Sequence, residues 1–152
     1  MRPHDLDAVA AISDAVHDGA YSERRAIYAE RLALYPAGCH VCAIEGEPAG
    51  YLIAHPWHRD APPALDAPLG TLPVDVGTYY LHDIALLAPA RGGGRGAAAL
   101  GLAIRDARAA GFAEISLVAV GGADGYWDRQ GFRPVAPYPA YGPEAVLMRL
   151  DV

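Results

Sequence analysis

A run of glycines with two arginines stands between an apolar segment and a helix-forming one, at residues 91–96 with the sequence RGGGRG. Glycine lets the backbone approach a ligand closely and adopt positive φ angles. The first turn of a following helix presents unpaired N–H groups, and the helix dipole adds partial positive charge at the same place. Arg91 and Arg95 can donate charge-assisted hydrogen bonds to phosphate oxygens. The spacing therefore predicts an anion site suited to a pyrophosphate.

Two other interpretations fit the same glycine run. A tight turn before a helix uses glycines without binding any ligand. A dinucleotide-binding unit also has a glycine loop before a helix, but places it after the first strand, with an acidic residue about 20 positions further on. Here the run lies past the middle of a chain of 152 residues, after a predicted hairpin. The dinucleotide-binding topology therefore fits poorly.

Missing residue types exclude several classes of enzyme. The chain has no lysine and no asparagine, and all 12 of its Lys and Arg residues are arginines. A Walker-type phosphate loop needs a lysine and a Schiff-base enzyme needs an amine, so both classes are excluded. The serines are Ser13, Ser22 and Ser116, and none stands in a Gly-x-Ser-x-Gly sequence. We therefore do not expect a serine hydrolase of that type.

The elements that position the glycine run follow from the spacing of apolar residues. A short strand-like segment at 1–3 precedes a helix that begins with Asp5 as N-cap and ends near Gly19. A second helix begins with Ser22 as N-cap and ends before Pro36. A hairpin follows, with strands predicted at 39–44 and 49–54. The strand before the glycine run, here called the motif strand, is predicted at 79–87 and its helix at 97–110. The chain then continues with a strand at 114–120, a short helix at 123–130 and a last strand at 145–150.

A long segment between the hairpin and the motif strand has no regular pattern. Residues 55–77 contain five prolines, which interrupt any helical or strand period. Loops of about twenty residues are uncommon in compact domains and are usually functional or mobile. We therefore expect this segment to be functional or mobile.

Length and composition indicate one globular domain over residues 1–152. The apolar fraction is 53% and the formal charge is −6 without any basic run, which argues against disorder and against nucleic-acid binding. No membrane-spanning run, no signal peptide and no disulfide-rich pattern is present, so we expect a cytoplasmic protein. The Ala, Gly, Arg and Pro bias indicates a bacterial source with a GC-rich genome.

Two blocks of the sequence resemble the GNAT superfamily of N-acyltransferases. In the first block, residues 81–96, the residues Arg91, Gly94 and Gly96 match the Arg/Gln-x-x-Gly-x-Gly/Ala motif that binds acetyl-CoA. The second block, residues 123–132, is similar to Ala-x-x-Φ-Tyr-x-x-x-Gly-Phe, in which Φ is apolar. The blocks stand in the family's order, and the resemblance extends over nearly the whole chain.

The resemblance implies the single-domain GNAT fold, a mixed and mostly antiparallel sheet flanked by helices, whose central strands splay apart. The pantetheine arm of acetyl-CoA, the co-substrate, would lie in that gap. The implied reaction is transfer of the acetyl group to a primary amine of a small molecule or protein by direct attack on the thioester. The residues implied to bind acetyl-CoA are Leu86, Leu87, Arg91, Gly92, Gly93, Gly94, Arg95, Gly96, Ala97 and Trp127.

The sequence also departs from the family's pattern. The first strand would be reduced to residues 1–2, which leaves open that the natural chain begins earlier. Ala88 stands where the family usually has a proline, and Val120 stands where the family often has an asparagine. Trp127 replaces the tyrosine that often protonates the departing thiolate. An indole N–H cannot act as that acid at neutral pH.

His82 and Asp83, on the motif strand, are the candidates for the catalytic base, because the superfamily often has an acidic base at this part of the strand. Side chains alternate along a strand, so the two face opposite ways unless a bulge intervenes. We favour His82, since histidine suits proton transfer near neutrality. Asp83 would then anchor a loop or orient the base. A purely structural role for both stays open.

The proton donor for the thiolate is open. Tyr126 is a candidate, although it lies about 100° around the helix from position 127. Tyr138 and Tyr141, before the last strand, are others, and water is the alternative if Trp127 only packs against CoA.

A metal site is not expected. His55 and His58 open the long loop and could line an acceptor pocket with His82. Together with Cys39, His40 and Cys42 they also raise the possibility of zinc. Cysteines three positions apart on a strand face opposite ways, however, and fit better as small core residues.

Two functions stay open from the sequence. One is an acetyl-CoA-dependent N-acetyltransferase. The other is a CoA-binding sensor or interaction module with little turnover, which the missing tyrosine and asparagine favour. The exposed edges of such a sheet make a homodimer plausible.

Overall fold

The computed structural model describes residues 1–17 and 19–152. These residues form one six-stranded mixed sheet, in the order β1-β2-β3-β4-β6-β5. The strands are β1 (Cys39–Ile44), β2 (Glu47–Trp57), β3 (Thr78–Leu86), β4 (Glu114–Ala119), β5 (Arg133–Pro137) and β6 (Val146–Asp151). The helices are α1 (Leu6–His17), α2 (Arg25–Leu34), α3 (Arg95–Ala109) and α4 (Asp124–Arg129). Every strand pair is antiparallel except β3 with β4.

Apolar side chains cover both faces of the sheet. On β2, Leu52 belongs to the cluster under α3 and α4, whereas its neighbours Tyr51 and Ile53 belong to the cluster under α1 and α2. This alternation follows from the two-residue period of a strand. Because both faces are covered, β2 has an almost continuous apolar run, which made it easy to find from sequence.

The central strands separate soon after they meet. Within the described residues, β3 and β4 pair only at Tyr79 with Ile115 and at Tyr80 with Ser116. Beyond these positions β3 keeps its ladder with β2, and β4 keeps its ladder with β6. A wedge therefore opens between the two strands, and the predicted splayed α/β fold is confirmed.

A β-bulge interrupts β3 at the candidate base. Asp83 stands opposite Ile53 and Leu81 stands opposite Ala54, so His82 is the extra residue on β3. A bulge breaks the alternation of side chains and re-aims them. Because of the bulge, the side chains of His82 and Asp83 do not have to point to opposite faces of the sheet.

The N-terminal strand and the first N-cap were predicted wrongly. Pro3–Asp5 is a 3-10 turn, and the amino group of Met1 makes one hydrogen bond to the carbonyl oxygen of Cys39, at 2.9 Å. Proline has no N–H for a ladder, which favours the turn. The Asp5 carboxylate accepts a hydrogen bond from the backbone N–H of Arg2 at 2.6 Å, and α1 continues directly from the turn.

Ser22 is not an N-cap either. Its hydroxyl donates to Asp14 Oδ1 at 2.7 Å, and Arg24 occupies the N-cap position of α2. Strand β5 was missed, because two of its five residues are prolines and every residue is exposed. Prolines are tolerated there because β5 is an edge strand. Strand β2 extends to Trp57, so the irregular segment covers residues 58–77.

Gly38 offers a stability test of the packing before β1. A Cβ atom there would lie 1.9 Å from the carbonyl oxygen of Ala54, a backbone atom that cannot move cheaply. We expect Gly38→Ala to lower the free energy of unfolding by about 3 kcal/mol. Gly101 in α3 is the control, since a Cβ there meets nothing within 4 Å. Gly101→Ala should add about 0.5–1 kcal/mol. Equal urea midpoints for the two variants would contradict this account.

Candidate active site

The glycine run forms an open loop at the start of α3. Gly92, Gly93 and Gly94 have φ angles of 78°, 57° and 77°, in the left-handed region that favours glycine. Gly94 is the N-cap of α3, which begins two residues earlier than predicted. The backbone N–H groups of Gly96 and Ala97 have no partner among the described residues. These donors and the helix dipole together make the loop suited to an anion.

A cavity of about 790 Å³ lies in the wedge between β3 and β4. The glycine loop, α4, the end of α1 and the irregular segment complete its walls. Most predicted site residues line it, namely His82, Asp83, Tyr126, Leu86, Arg91, Gly92, Gly94, Arg95, Gly96, Ala97 and Trp127. Leu87 and Gly93 do not. The Leu87 side chain packs against the core under α1 and α2.

His82 is enclosed and held at one ring nitrogen. Its Nε2 lies 2.6 Å from Glu23 Oε2, and the two side chains are only 2% and 3% exposed. The other oxygen of Glu23 accepts the backbone N–H of Asp66 at 2.9 Å. Nδ1 of His82 is buried without a hydrogen-bond partner in the described part of the chain. The pair therefore leaves the hydrogen-bonding capacity of this nitrogen unused, which is uncommon for a buried polar atom.

Asp83 joins α1 to the sheet. Its Oδ1 lies 3.0 Å from Nε2 of His17, and the hydroxyl of Tyr51 donates to its Oδ2. Burial lowers the pKa of His17, but the hydrogen bond and charge of Asp83 and the charge of Glu23 outweigh it, so the pKa is raised. Burial and the Asp83 charge also raise the pKa of Tyr51. Asp83 is thus engaged by two partners, unlike His82.

Residues 7–132 match the model of the acetyltransferase (GNAT) family. The chain belongs to this family. No curated protein matches it in sequence.

The fold is similar to that of several solved GNAT proteins. The GphF GNAT-like decarboxylase in complex with isobutyryl-CoA has a TM-score of 0.82 at 19% identity, covering 99% of this chain and 96% of that chain. Ard1 from Thermoplasma volcanium has 0.77 at 16% identity, covering 100% and 94%. The NatC complex bound to Gag peptide and CoA has 0.73 at 17% identity, covering 99% and 92%. At these identities the likeness concerns the fold.

Tyr126 and Trp127, adjacent on α4 of this GNAT protein, make different contacts. Trp127 is 7% exposed and packs edge-on against Phe132, with ring centroids 5.3 Å apart. Tyr126 is 38% exposed, and its hydroxyl lies 2.8 Å from the position of a Cβ on Gly96. The Tyr126 hydroxyl thus lies beside the first turn of α3. Tyr126 thus packs beside the glycine loop rather than in the strand wedge.

The other two tyrosine candidates hold the irregular segment in place. The hydroxyl of Tyr138 donates to the carbonyl oxygen of Pro62 at 3.1 Å, and that of Tyr141 donates to the carbonyl oxygen of Pro63. Burial raises the pKa of Tyr141 to about 12. Both hydroxyl protons are committed to backbone acceptors, which makes neither residue a ready acid.

The loop residues that line the cavity differ from those expected. His55, Trp57 and His58 are not among the lining residues; Tyr21 and Leu65 are. The segment is fastened through Asp66, which accepts from Arg24 Nε at 2.6 Å. Further bonds join Arg31 to Ala67 and Glu30 to Leu69 and Gly70. Sequence spacing carries no signal for these contacts, which join residues about 40 positions apart.

In residues 1–17 and 19–152, no three His, Cys, Asp or Glu side chains are grouped so that they could hold a metal ion. Cys39 is a buried free thiol, and burial raises its pKa to about 11.

None of the helices in this part of the chain has the length and apolar character needed to cross a membrane.

The His17–Asp83 contact makes stability depend on pH. A raised folded-state pKa contributes stability that is present below the unfolded value of 6.5 and is lost as pH rises through the folded value. We expect His17→Gln to lower the free energy of unfolding by about 1 kcal/mol more at mildly acidic than at mildly alkaline pH. The exposed His58 is the control, since His58→Gln should show no such difference. A deficit that grows with pH would contradict the assignment.

Proposed function

We propose that this chain is an acyl-CoA-dependent N-acyltransferase, with acetyl-CoA as donor and a primary amine of a small molecule or protein as acceptor. One observation carries the proposal. The strand wedge and the left-handed glycine loop open into the same cavity, with an enclosed histidine–glutamate pair in its wall. A thioester held between the strands would therefore lie within reach of a base.

The residues of the loop fit a CoA diphosphate. The unpartnered N–H groups of Gly96 and Ala97 would donate to its oxygens, and Arg95 would add positive charge. The gap between β3 and β4 would take the pantetheine arm, with Leu117 and Trp127 as apolar contacts. CoA supplies the activated acyl group. The protein would supply its orientation, which removes much of the entropic part of the barrier to such a transfer.

The acceptor would enter from the side of α1 and the irregular segment. That end of the cavity is lined by Val16, Tyr21, Leu65 and Tyr141, beside Glu23. The NatC complex, which has the same fold, was solved with a peptide and CoA together. A peptide or small amine reaching past Leu65 would meet the thioester at the strand bulge.

In the transfer, the amine nitrogen forms a bond to the thioester carbon, and the carbon–sulfur bond then breaks. The amine proton goes to Nδ1 of His82. The Nε2–H of the same ring donates to Glu23, whose negative charge stabilises the imidazolium. The thiolate leaves without a tyrosine at position 127. Free thiols have an ordinary pKa of about 8.5, so water can protonate the product.

A second candidate function is decarboxylation of a β-carboxyacyl-CoA. Trp127 favours it, because this reaction leaves the carbon–sulfur bond intact and needs no acid for a thiolate. The bond to the carboxylate would break, its electron pair would form the thioester enolate, carbon dioxide would leave, and the protonated His82 would deliver a proton to the α-carbon. The GphF protein, similar in fold, is a GNAT-like decarboxylase.

Gly94→Glu tests the anion site. Gly94 lines the cavity at the start of α3, so the substitution adds a carboxylate beside the space assigned to the diphosphate, and at a φ of 77° any side chain also strains the loop. We expect at least a hundredfold weaker binding of acetyl-CoA by calorimetry, since like charges at close range are strongly unfavourable. Gly101→Glu adds the same charge on the same helix and is the control. Equal affinities for both variants would refute the assignment.

His82→Gln tests the base. We expect kcat for amine acetylation to fall by about 10²–10⁴ while the Kd for acetyl-CoA stays unchanged, as is typical of a lost proton-transfer group. His40→Gln is the control, because His40 pairs with Asp106 away from the cavity.

The same assays separate the functions. Free thiol formed with an amine supports the transferase. Carbon dioxide released from a β-carboxyacyl-CoA with the thioester intact supports the decarboxylase. Tight acetyl-CoA binding without either product supports the binding module and overturns both enzymatic assignments.

A further inference from the structure

The acceptor end of the cavity is the part whose walls are Val16, Tyr21, Leu65 and Tyr141. Just before Leu65, the irregular segment is fixed to the connection between β5 and β6. The carbonyl oxygen of Pro62 accepts from the hydroxyl of Tyr138 at 3.1 Å, and that of Pro63 accepts from the hydroxyl of Tyr141. Both prolines are buried, and their rings fix the φ angles. This part of the backbone therefore has a set position.

On its other side, the segment is fixed to α2 and to the residue before that helix. The Asp66 carboxylate accepts from the backbone N–H of Arg24 at 2.8 Å and from its Nε at 2.6 Å. The Glu30 carboxylate accepts from the backbone N–H groups of Leu69 and Gly70 at 2.8 Å and 2.9 Å. The segment is thus bound to two different parts of the fold within a few positions of chain.

Only two residues, Ala64 and Leu65, join these two fixed parts. Because an extended chain advances at most about 3.6 Å per residue, the Cα atoms of Pro63 and Asp66 are no more than about 11 Å apart. Neighbouring extended chains need about 4.8 Å between their backbones and about 10 Å between their side-chain faces. Ala64 and Leu65 themselves occupy the gap, so a second extended chain has no room to pass there.

Tyr21 narrows the acceptor end from another direction. It belongs to the connection between α1 and α2, and its hydroxyl lies 3.4 Å from the position of a Cβ on Gly142. Gly142 follows Tyr141 in the connection between β5 and β6, so the two connections also approach each other directly. A small molecule fits an end enclosed by Tyr21 and Leu65. A polypeptide, which continues beyond its amino group, does not.

The charges near the acceptor end disfavour an acceptor that carries a carboxylate. The acids in the cavity wall are Glu23 and Asp83, and each is already paired with a histidine. The arginines of the described wall are Arg91 and Arg95, which belong to the glycine loop at the other end. A carboxylate at the acceptor end would therefore lie near two acids.

Arg31 on α2 does not supply a partner for such a carboxylate. Its side chain is 1% exposed and is not part of the cavity wall. Its Nη1 donates to the Glu30 carboxylate, and its Nη2 donates to the carbonyl oxygen of Ala67 at 2.9 Å. A carboxylate of the acceptor would lose its water without gaining a cation, which is strongly unfavourable.

We propose that the acceptor is a small primary amine with an uncharged apolar body, of the phenethylamine kind, and not a polypeptide or an amino acid. Its nitrogen would face His82, and its apolar body would pack against Leu65 and Tyr141. The transfer is the one described above: the nitrogen–carbon bond forms, the carbon–sulfur bond breaks, the amine proton goes to His82 and the thiolate leaves. This inference rests on the proposed transferase function.

The first experiment measures binding without turnover. The wild-type protein is saturated with CoA, which carries no acyl group, and acceptors are added in a calorimeter. Phenethylamine and phenylalanine differ only by a carboxylate, and we expect phenethylamine to bind at least a hundredfold more tightly. Phenylalaninamide, which lacks the charge, should bind within tenfold of phenethylamine. A C-terminally amidated tetrapeptide that begins with phenylalanine tests size alone, and should not bind at millimolar concentration.

The second experiment measures the free thiol released from acetyl-CoA with the same acceptors and with spermidine, a polycation. We expect phenethylamine to have the highest kcat/KM. If the peptide, phenylalanine or spermidine is preferred, the acceptor class is overturned while the transferase function stands. If phenethylamine binds as expected but no acceptor releases thiol, the transferase function fails and the selectivity of the acceptor end stands. Equal binding of phenethylamine and phenylalanine overturns the proposal whatever the turnover.

Substitutions of Leu65 test where the amine lies. Leu65→Trp would fill the acceptor end, so the KM for phenethylamine should rise at least tenfold. An unchanged Kd for acetyl-CoA would show that the variant is folded. Val74→Trp, at a fully exposed position of the same segment, is the control. Leu65→Ala should shift the preference at least fivefold from phenethylamine toward the longer phenylbutylamine. If neither Leu65 variant changes KM or preference, the amine does not lie at this end.

Discussion

The separation of β3 from β4 is the constraint on which the rest of this structure depends. Two parallel strands that pair at only two positions leave the far half of β3 with one ladder partner instead of two. A sheet normally closes such an edge, because unpaired backbone groups away from water are costly. Here each strand keeps its outer neighbour, so the sheet stays intact while its centre opens. The cavity, the glycine loop at its rim and the enclosed histidine all lie along this opening.

The bulge at His82 gives the wedge its chemical groups. In a regular strand His82 and Asp83 would point to opposite faces. With one extra residue, both line the same cavity, and their partners separate their roles. Asp83 is held by His17 and Tyr51, which joins α1 to the sheet, whereas His82 keeps one free nitrogen beside a single carboxylate.

Glu23 connects the base to the irregular segment. One of its oxygens meets His82 and the other accepts the backbone N–H of Asp66. Asp66 in turn is bound by Arg24, next to Glu23 in the chain. Glu23 therefore links the orientation of the imidazole to the backbone of the loop, which Arg24 and Glu30 also hold. This arrangement gives a physical reason for a long proline-rich segment in a small domain, since its fixed backbone supplies the N–H that holds Glu23.

The sequence by itself determined the parts whose conformation is local. Three glycines before a helix permit a left-handed loop with exposed N–H groups, because other residues rarely adopt those φ angles. The hairpin and the motif strand were predicted from their apolar runs, and the block that ends at Phe132 was recognised from the spacing of its residues.

The tertiary structure alone decided the parts that join distant positions. Glu23 with His82, His17 with Asp83 and the bulge opposite Ile53 depend on how whole strands register and how a loop lies across them. Strand β5 was invisible for the same reason, since its prolines become acceptable only at the edge that the assembled sheet provides. A local pattern encodes which backbone angles a segment can adopt. It does not encode which of two buried nitrogens will be left without a partner.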